Sequence, residues 1–243
     1  MDAIVTRGLS KHYRDTAAVE GLDLTVHSGE LFALLGVNGA GKTTTIRMLS
    51  CLSRPTAGDA LLCGKSVLSD SQAVKSLIGV SPQETAVAPN LTVRENLELM
   101  AGVHGFSRPE ARAKAAALAE RFGLQEIAGK RAKRLSGGWQ RRLSIAMALV
   151  SEPKLLFLDE PTLGLDVLAR SDLWGMIRNL KGRMTLILTT HYMEEAEALS
   201  DRIGILKNGR LIFVGTAAEI KREAGEERFE DAFIKLVKEG PLQ

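Results

Sequence analysis

The chain has 243 residues, of which 45% are hydrophobic and 25% charged, a composition typical of a packed globular protein and not of a disordered one. This length suits one large α/β domain, or one domain with a small subdomain. The net charge of +3 at pH 7 is too small to indicate nucleic-acid binding, so we expect no nucleic-acid partner.

Hydropathy along the chain indicates neither a membrane span nor a leader. No apolar stretch approaches the ~20 residues needed to cross a bilayer, and residues 1–4 lack the charged and apolar regions of a signal peptide. Cys51 and Cys63 lack C-x-x-C spacing, which favours buried free thiols in a reducing compartment. If the protein serves a membrane, we expect it to act from the cytoplasmic face through another chain.

The first predicted elements are short strands at 2–8 and 21–27, joined by a polar loop that carries Tyr13. The apolar run 31–35 is typical of a buried strand. After it comes a match to every fixed position of the phosphate-loop pattern G-x-x-x-x-G-K-[ST], formed by Gly36-Val37-Asn38-Gly39-Ala40-Gly41-Lys42-Thr43. A helix is predicted from about residue 42 to 51, so the strand–loop–helix context that this motif requires is present.

This loop has the chemistry of a nucleotide-phosphate site. Its glycines let backbone N–H groups approach phosphates, and the start of the following helix adds a positive dipole end. Lys42 supplies a charge to the β- and γ-phosphates, the Thr43 hydroxyl reaches Mg²⁺, and Thr44 can donate to a neighbouring phosphate. The alternative, a structural glycine turn, is disfavoured by the flanking strand and helix.

Residues 86–150 predict a helical subdomain inserted between strands of an α/β core. Two capping boxes, Thr92 with Glu95 and Ser107 with Glu110, mark helix starts. The apolar positions 93, 97, 100 and 101 share one helical face, and six alanines within 111–119 favour a second helix. The basic run 130–134 predicts a solvated turn, the alternative being a contact with phosphate or anionic lipid.

A second anion site is predicted where the next helix starts. Ser136, Gly137 and Gly138 offer a hydroxyl and unhindered backbone N–H groups there. The alternative is a plain N-cap. A monomer has little use for two γ-phosphate cradles, whereas a head-to-tail pair of chains would place each phosphate loop opposite the partner's Ser136 helix. We therefore expect a two-fold dimer with two shared sites.

The α/β pattern returns after residue 150. Strands are predicted at 155–158, 185–189 and 203–206, with helices near 166–181 and 192–200, which indicates a mostly parallel sheet covered on both faces. Asn208-Gly209 predicts a two-residue hairpin. The last segment predicts a docking helix, because one helical face carries Phe229, Ala232, Phe233 and Leu236.

An acid pair follows the strand at 155–158. Asp159 at the strand end can hold Mg²⁺ through water, and Glu160 can orient and deprotonate an attacking water. The alternative is a solvated pair of strand-end carboxylates, which the nearby phosphate loop disfavours.

Together these motifs resemble the ATP-binding subunit of an ATP-binding-cassette (ABC) transporter, and the resemblance covers essentially the whole chain. It implies a P-loop NTPase core with a mostly parallel sheet, an N-terminal antiparallel β-subdomain and the inserted helical subdomain. We expect one domain, with the core at 1–85 and 151–220, the helical part at 86–150 and a C-terminal helix at 221–243. The implied cofactors are ATP and Mg²⁺, and the implied reaction is ATP hydrolysis coupled to transport.

The resemblance also assigns single residues. Tyr13 resembles the aromatic that stacks on adenine, although a loop tyrosine can merely pack. Gln83 resembles the glutamine that contacts Mg²⁺ and the attacking water while sensing the membrane partner. Asp166 resembles the residue that crosses the dimer interface, and His191 resembles the switch histidine at the γ-phosphate. Trp139 departs from the usual glutamine of its motif but leaves the phosphate-binding Ser-Gly-Gly intact.

The implied partners are an integral-membrane permease and a second copy of the chain or a paralogue, at the cytoplasmic face of the cell membrane. The segments 43–49, 54–58, 191–197 and 229–236 resemble the branch that exports drugs, sodium, lipids or polysaccharides. The alternative is a soluble ABC ATPase with non-membrane partners, such as a scaffold in cofactor assembly. DNA-repair and translation ATPases are disfavoured, because the segment between Gln83 and Ser136 is too short for a long coiled coil.

Overall fold

The computed structural model describes residues 1–240, and its strands form two sheets. The strands are β1 (Asp2–Tyr13), β2 (Thr16–His27), β3 (Leu31–Leu35), β4 (Ala57–Leu62), β5 (Lys65–Ser66), β6 (Ile78–Ser81), β7 (Leu155–Asp159), β8 (Thr185–Thr190), β9 (Arg202–Lys207) and β10 (Arg210–Gly215).

Helices cover the sheets and fill the segment between β6 and β7. They are α1 (Lys42–Leu49), α2 (Ser71–Leu77), α3 (Val93–Val103), α4 (Arg108–Arg121), α5 (Gly137–Ala148), α6 (Val167–Arg178), α7 (Met193–Leu199), α8 (Ala217–Ala224) and α9 (Phe229–Glu239). Short 3₁₀ turns occupy Gln125–Ile127 and Ala132–Arg134. Among the residues described, no helix combines the length and apolar character needed to cross a membrane.

The larger sheet has the order β10-β9-β3-β8-β7-β6 and is parallel except for the edge strand β10. All residues of β3, β7 and β8 are buried, because one face of the sheet packs against helices and the other packs against α1 and the smaller sheet. The register pairs Leu35 with Thr190 and Asp159 with Thr189, so these strands end at one edge. The predicted α/β core with a mostly parallel sheet is confirmed.

The smaller sheet is antiparallel, in the order β2-β1-β4-β5, which confirms the predicted N-terminal β-subdomain. Its first two strands are longer than the predicted 2–8 and 21–27. Tyr13 therefore ends a strand and does not lie in a loop, which corrects the prediction. Gly8 and Gly21 adopt positive φ angles of 56° and 58°, and the register shifts between Thr6 and Leu9. The glycines thus form bulges within a continuing ladder.

The turn between β9 and β10 is the predicted Asn208-Gly209 hairpin, with φ angles of 49° and 77°. Gly209 also contacts two distant segments. Its N–H donates to the Ala40 carbonyl at 3.1 Å, and its own carbonyl accepts from the Glu20 N–H at 2.9 Å. The hairpin turn therefore joins the smaller sheet to the loop that precedes α1.

Both predicted capping boxes start helices between β6 and β7. Glu95 accepts from the Thr92 N–H at 2.7 Å, and Glu110 accepts from the Ser107 N–H at 2.8 Å. Val93, Leu97 and Ala101 form the buried face of α3, as the periodicity predicts. Most buried residues of α3, α4 and α5 belong to the same core cluster as the inner strands.

Two helices follow β10 where one was expected. Helix α8 ends at Gly225, whose φ of 66° is typical of a helix C-terminus, and α9 begins at Phe229. The predicted apolar face is confirmed, since Phe229, Ala232, Phe233 and Leu236 are all buried. Residues 241–243 of the expected 221–243 helix lie outside the described residues. Cys51 and Cys63 are free, as predicted, but half-buried.

Candidate functional site

The loop between β3 and α1 forms one wall of a cleft of about 570 Å³. Most predicted nucleotide-site residues line it. The lining residues are Tyr13, Thr16, Ala17, Ala18, Asn38, Gly39, Ala40, Gly41, Lys42, Thr43, Thr44, Gln83, Glu160, Leu163 and His191. The structure thus brings together side chains from the ends of β1, β3, β6, β7 and β8, which no local sequence pattern joins.

Two glycines of the loop are required by close packing. A Cβ on Gly36 would lie 2.6 Å from the Leu206 carbonyl oxygen, and one on Gly41 would lie 2.5 Å from the Ala18 carbonyl oxygen. Gly41 also has a φ of 103°. Because no side chain fits at either position, only glycine allows the loop to pack this closely against Leu206 and Ala18. Gly36 and the exposed Val37 belong to the loop but do not line the cleft.

Lys42 is 5% exposed, although it carries a charge. Its Nζ donates to the carbonyls of Gly36 at 2.8 Å and Val37 at 3.2 Å. The same nitrogen lies 3.3 Å from Glu160 Oε1. The charge of Lys42 is therefore held at the centre of the loop by carbonyls and one carboxylate.

Glu160 is held from three directions. Its Oε2 lies 2.8 Å from His191 Nδ1, its Oε1 faces Lys42, and its N–H donates to Thr189 Oγ1 at 3.0 Å. Its φ of 46° is unusual for a residue with a side chain, and such conformations cluster at functional sites. The residue is 7% exposed. This arrangement suits a general base, because its carboxylate is oriented and shielded at the cleft wall.

Asp159 is 4% exposed, and its Oδ1 accepts from Thr43 Oγ1 at 3.2 Å and from the Thr189 hydroxyl. A carboxylate and a hydroxyl are the hard oxygen donors that Mg²⁺ uses alongside substrate phosphates. Gln83 lines the same cleft and adds an amide. Thr43 and Gln83 thus line the cleft, whereas Asp159 does not line it and is joined to it through its hydrogen bond with Thr43.

Thr189 is a functional residue that the motif analysis missed. Its hydroxyl donates to Asp159 and accepts from the Glu160 backbone, so one side chain fixes two neighbouring acids. It is completely buried in β8, opposite Asp159 in the register. The sequence signals this role only weakly, by a threonine next to the last residue of an apolar strand.

Tyr13 lies at the mouth of the cleft, 45% exposed. Lys11 Nζ lies 5.0 Å from the centre of its ring. An exposed aromatic ring beside a phosphate loop can stack on a nucleotide base.

The second predicted half-site lies elsewhere. Ser136 and Gly138 border a separate small cleft of about 90 Å³ between α5 and α6. Ser136 and Gly137 are exposed, and the Ser136 side chain does not cap its helix. Asp166 is also exposed, and its carboxylate accepts from the Ala169 N–H at 2.9 Å to cap α6. Within one chain these four residues do not line the phosphate-loop cleft.

Helix α7, which follows His191, carries a further buried acid. Glu195 in α7 is completely buried, and its Oε1 accepts from Trp174 Nε1 at 3.1 Å. Burial raises the pKa of this carboxyl, while the hydroxyls of Thr190 and Thr162 act in the opposite direction. Sequence reasoning gave Glu195 no role, because its burial depends on α6 packing against α7.

Residues 19–163 match the protein family described as ABC transporter. The chain is 46% identical over 224 residues to the daunorubicin/doxorubicin resistance ATP-binding protein DrrA of Streptomyces peucetius, covering 92% of this chain and 68% of that protein. It is 45% identical over 221 residues to the Nod factor export ATP-binding protein I of Burkholderia orbicola (strain AU 1054), covering 90% and 73%.

Solved structures give the same result. An ATP-binding subunit of an ABC transporter superposes with a TM-score of 0.84 at 30% identity, covering 96% of this chain and 99% of that one. A dimeric ATP-binding cassette in a post-hydrolysis state, bound to ADP and Pi, superposes with a TM-score of 0.79 at 26% identity. That match covers 88% of this chain and 98% of the other.

Proposed function

The chain belongs to the ABC transporter family of ATP-binding proteins, and from that premise we propose that it pairs with a second chain around ATP. The phosphate-loop half-site of one chain and the Ser136 half-site of the other would bind the same nucleotide, and this closure would drive a membrane exporter. The chain is an ABC ATPase, which binds and hydrolyses ATP. The observation that carries the assignment of its chemistry is the Glu160 carboxylate, placed between Lys42 and His191 on the phosphate-loop cleft.

Each cleft residue has a proposed role. The N–H groups from Asn38 to Thr44 bind the phosphates, Lys42 neutralises the β- and γ-phosphates, and Tyr13 stacks on adenine. Glu160 accepts the proton of the attacking water, and His191 positions Glu160 and contacts the γ-phosphate. The 2.8 Å contact between His191 and Glu160 supports this pairing.

Thr43, Asp159 and Gln83 are the residues that would hold Mg²⁺. Their oxygen donors support this proposal, and so do the hydrogen bond between Thr43 and Asp159 and the position of Thr43 and Gln83 on the cleft. When bound, the ion would neutralise charge on the phosphate oxygens. The chain itself orients the donors, because Thr43 and Thr189 fix the carboxylate of Asp159.

Dimerisation completes the site. Ser136, Gly137, Gly138 and Asp166 lie outside the phosphate-loop cleft of their own chain and are solvent-exposed or half-buried, which supports their contact with a partner's nucleotide. Val167 and Leu168 beside Asp166 are 69% and 79% exposed, as apolar residues of a dimer contact would be in a lone chain. The partner is a second copy or a paralogue.

The proposed membrane partner is an integral-membrane permease, contacted through residues 83–91 and α3, at the cytoplasmic face of the cell membrane. The export names of the relatives support an exporter. The proposal divides the chain into a core of residues 1–85 and 151–220, a helical part of residues 86–150 that meets both partners, and a C-terminal part from residue 221 onward.

The test is a pull-down of tagged Glu160→Gln chain from native membranes in ATP, because this variant should bind ATP without releasing the closed state. The matched control is the same variant with Lys42→Ala, which should not retain ATP. Recovery of a protein with several membrane spans only with the first variant would support the exporter. Recovery of soluble partners alone would contradict it and favour an ABC ATPase that acts without a permease.

A further inference from the structure

Arg141 is a buried cation that the nucleotide site does not use directly. It lies in α5, is 4% exposed, and has no carboxylate within ion-pair distance among the described residues. Burial lowers the pKa of its guanidinium, while the carboxylates of Asp159 and Glu195 act in the opposite direction. A buried charge is costly unless it is hydrogen-bonded, so its partners indicate why it is there.

Those partners are two successive backbone carbonyls. Arg141 Nη1 donates to the Pro82 carbonyl at 2.6 Å, and Nη2 donates to the Gln83 carbonyl at 2.5 Å. A planar guanidinium that bonds two acceptors at once fixes both position and direction, which lysine cannot do. Because Gln83 lines the nucleotide cleft, Arg141 fixes the backbone from which that side chain extends.

Helix α5 is joined to β6 along a whole stripe. Three residues after Arg141, the Ser144 hydroxyl lies 3.0 Å from the Ser81 hydroxyl, and both residues are buried. Further along the helix, the Ala148 carbonyl lies where a Cβ on Gly79 would be 2.2 Å away. Residues 141, 144 and 148 share one helical face. They contact residues 83, 81 and 79 in turn, so the helix runs antiparallel to β6. We expect helix and strand to move as one body.

Ser136 is the residue that precedes the first turn of α5, and it lies about 7.5 Å along the helix axis from Arg141. In the proposed dimer, Ser136 faces the partner's nucleotide and Gln83 faces the chain's own. We propose that Arg141 is a positioning residue that fixes Gln83 for catalysis and ties it to the helix carrying Ser136. This inference rests on the proposed role of Gln83 in ATP hydrolysis.

The test is a double-mutant cycle in steady-state ATP hydrolysis with the full chain. Arg141→Lys keeps the charge and loses the paired contact. We expect kcat to fall about 10- to 100-fold, the scale of a misplaced catalytic group, with little change in ATP affinity. In the Gln83→Ala background, the same substitution should change kcat by less than about twofold, because Arg141 acts through Gln83.

Ser144→Ala is the matched control, since it removes a bond between the same helix and strand without touching residues 82 and 83. It should lower the melting temperature while changing kcat little. If Arg141→Lys fails to fold, Arg141→Gln, which keeps an amide donor, replaces it in the cycle. Additive losses for Arg141 and Gln83 would overturn the inference, and so would normal turnover of Gln83→Ala. Wild-type protein that neither binds nor hydrolyses ATP would instead contradict the proposed function itself.

Discussion

The two carboxylate oxygens of Glu160 contact two different side chains, with Oε2 2.8 Å from the imidazole Nδ1 of His191 and Oε1 3.3 Å from the ammonium Nζ of Lys42. Lys42 comes from the phosphate loop, and His191 follows β8. The Glu160 carboxylate therefore connects the phosphate loop to the segment that leads into α7. Its backbone has a positive φ, and its N–H bonds both the hydroxyl and the carbonyl of Thr189.

Replacing Glu160 with glutamine should abolish most turnover. The amide cannot accept the proton from water, so we expect kcat to fall at least ~10²-fold, the scale of general-base assistance. ATP binding should persist, and the variant should accumulate as a dimer in ATP. Phosphate release and size-exclusion chromatography with light scattering would measure the two effects. Glu120→Gln, an exposed change in α4, is the control, and near-normal hydrolysis by Glu160→Gln would disprove the role of this acid.

Lys42→Ala should weaken ATP binding itself. Its ammonium makes charge-assisted contacts, each of which contributes about 1.5–3 kcal/mol, so Kd should rise about 10- to 100-fold. Isothermal titration calorimetry with ATP and Mg²⁺ would measure this change. Lys114→Ala is a suitable control, because Lys114 makes an ion pair with Glu152 and does not line the cleft. Equal affinities of wild type and Lys42→Ala would rule out the phosphate-loop assignment.

Thr189→Val should lower kcat while the chain keeps its fold. Valine keeps the volume of threonine and the backbone carbonyl that accepts from the Glu160 N–H at 3.1 Å, but it removes the hydroxyl that donates to the buried Asp159. The loss of that donor costs about 1–3 kcal/mol of unfolding free energy. We expect kcat to fall as well, because both acids lose their orientation. Urea unfolding and ATPase assays would measure the two effects.

Thr185→Val is the matched control for Thr189→Val. It lies on the same strand, is also buried, and removes only the hydroxyl that accepts from the Gly29 N–H at 3.0 Å. We expect a similar loss of stability with unchanged kcat. Equal effects of the two variants on kcat would mean that the Thr189 hydroxyl has no catalytic importance.

Glu195 should make the stability of the fold depend on pH. Burial raises the pKa of this carboxyl above its ordinary value of 4.5, so between the two values the folded chain binds more protons than the unfolded chain. The free energy of unfolding contributed by this group is therefore complete at low pH and is lost as pH rises through the raised pKa. Glu195→Gln removes this dependence and keeps the acceptor for Trp174.

Denaturant unfolding at several pH values between about 4 and about 8 would measure the difference between Glu195→Gln and wild type. The stability of the variant relative to wild type should increase with pH. Glu120→Gln should follow the wild-type curve, because its carboxylate is exposed in the folded chain. Parallel curves for wild type and Glu195→Gln would show that the carboxyl is not perturbed by burial.

Much of this site could be predicted from short-range patterns. The phosphate loop, the strand ending at Asp159 and the Asn208-Gly209 turn each depend on neighbouring residues, and the structure has all three where they were expected. The strands β4, β5 and β6 and the helix α2 were not predicted. All four elements are short. The strands are fixed by pairing, β4 with β1, β5 with β4 and β6 with β7, and not by their own periodicity.

Arg141 and Thr189 could not be assigned for a related reason. The partners of Arg141 are backbone carbonyls far away in the sequence, and those of Thr189 lie on a neighbouring strand. A sequence shows which side chains are present, but not which backbone groups the fold leaves in need of a donor. Tyr13 illustrates the opposite case. Its position at the cleft was expected, although the prediction that it lies in a loop was wrong, since it ends β1.

The turn at Gly209 extends the nucleotide site beyond the residues that line it. A Cβ there would lie 2.9 Å from the Ala18 carbonyl oxygen, and its N–H bonds Ala40 inside the phosphate loop. The hairpin 202–215 therefore packs against the segment around Ala18 and stabilises the phosphate loop through the hydrogen bond to Ala40. Inherited variation at this turn should show itself as altered nucleotide retention in a chain that still folds, although no motif search would connect the two.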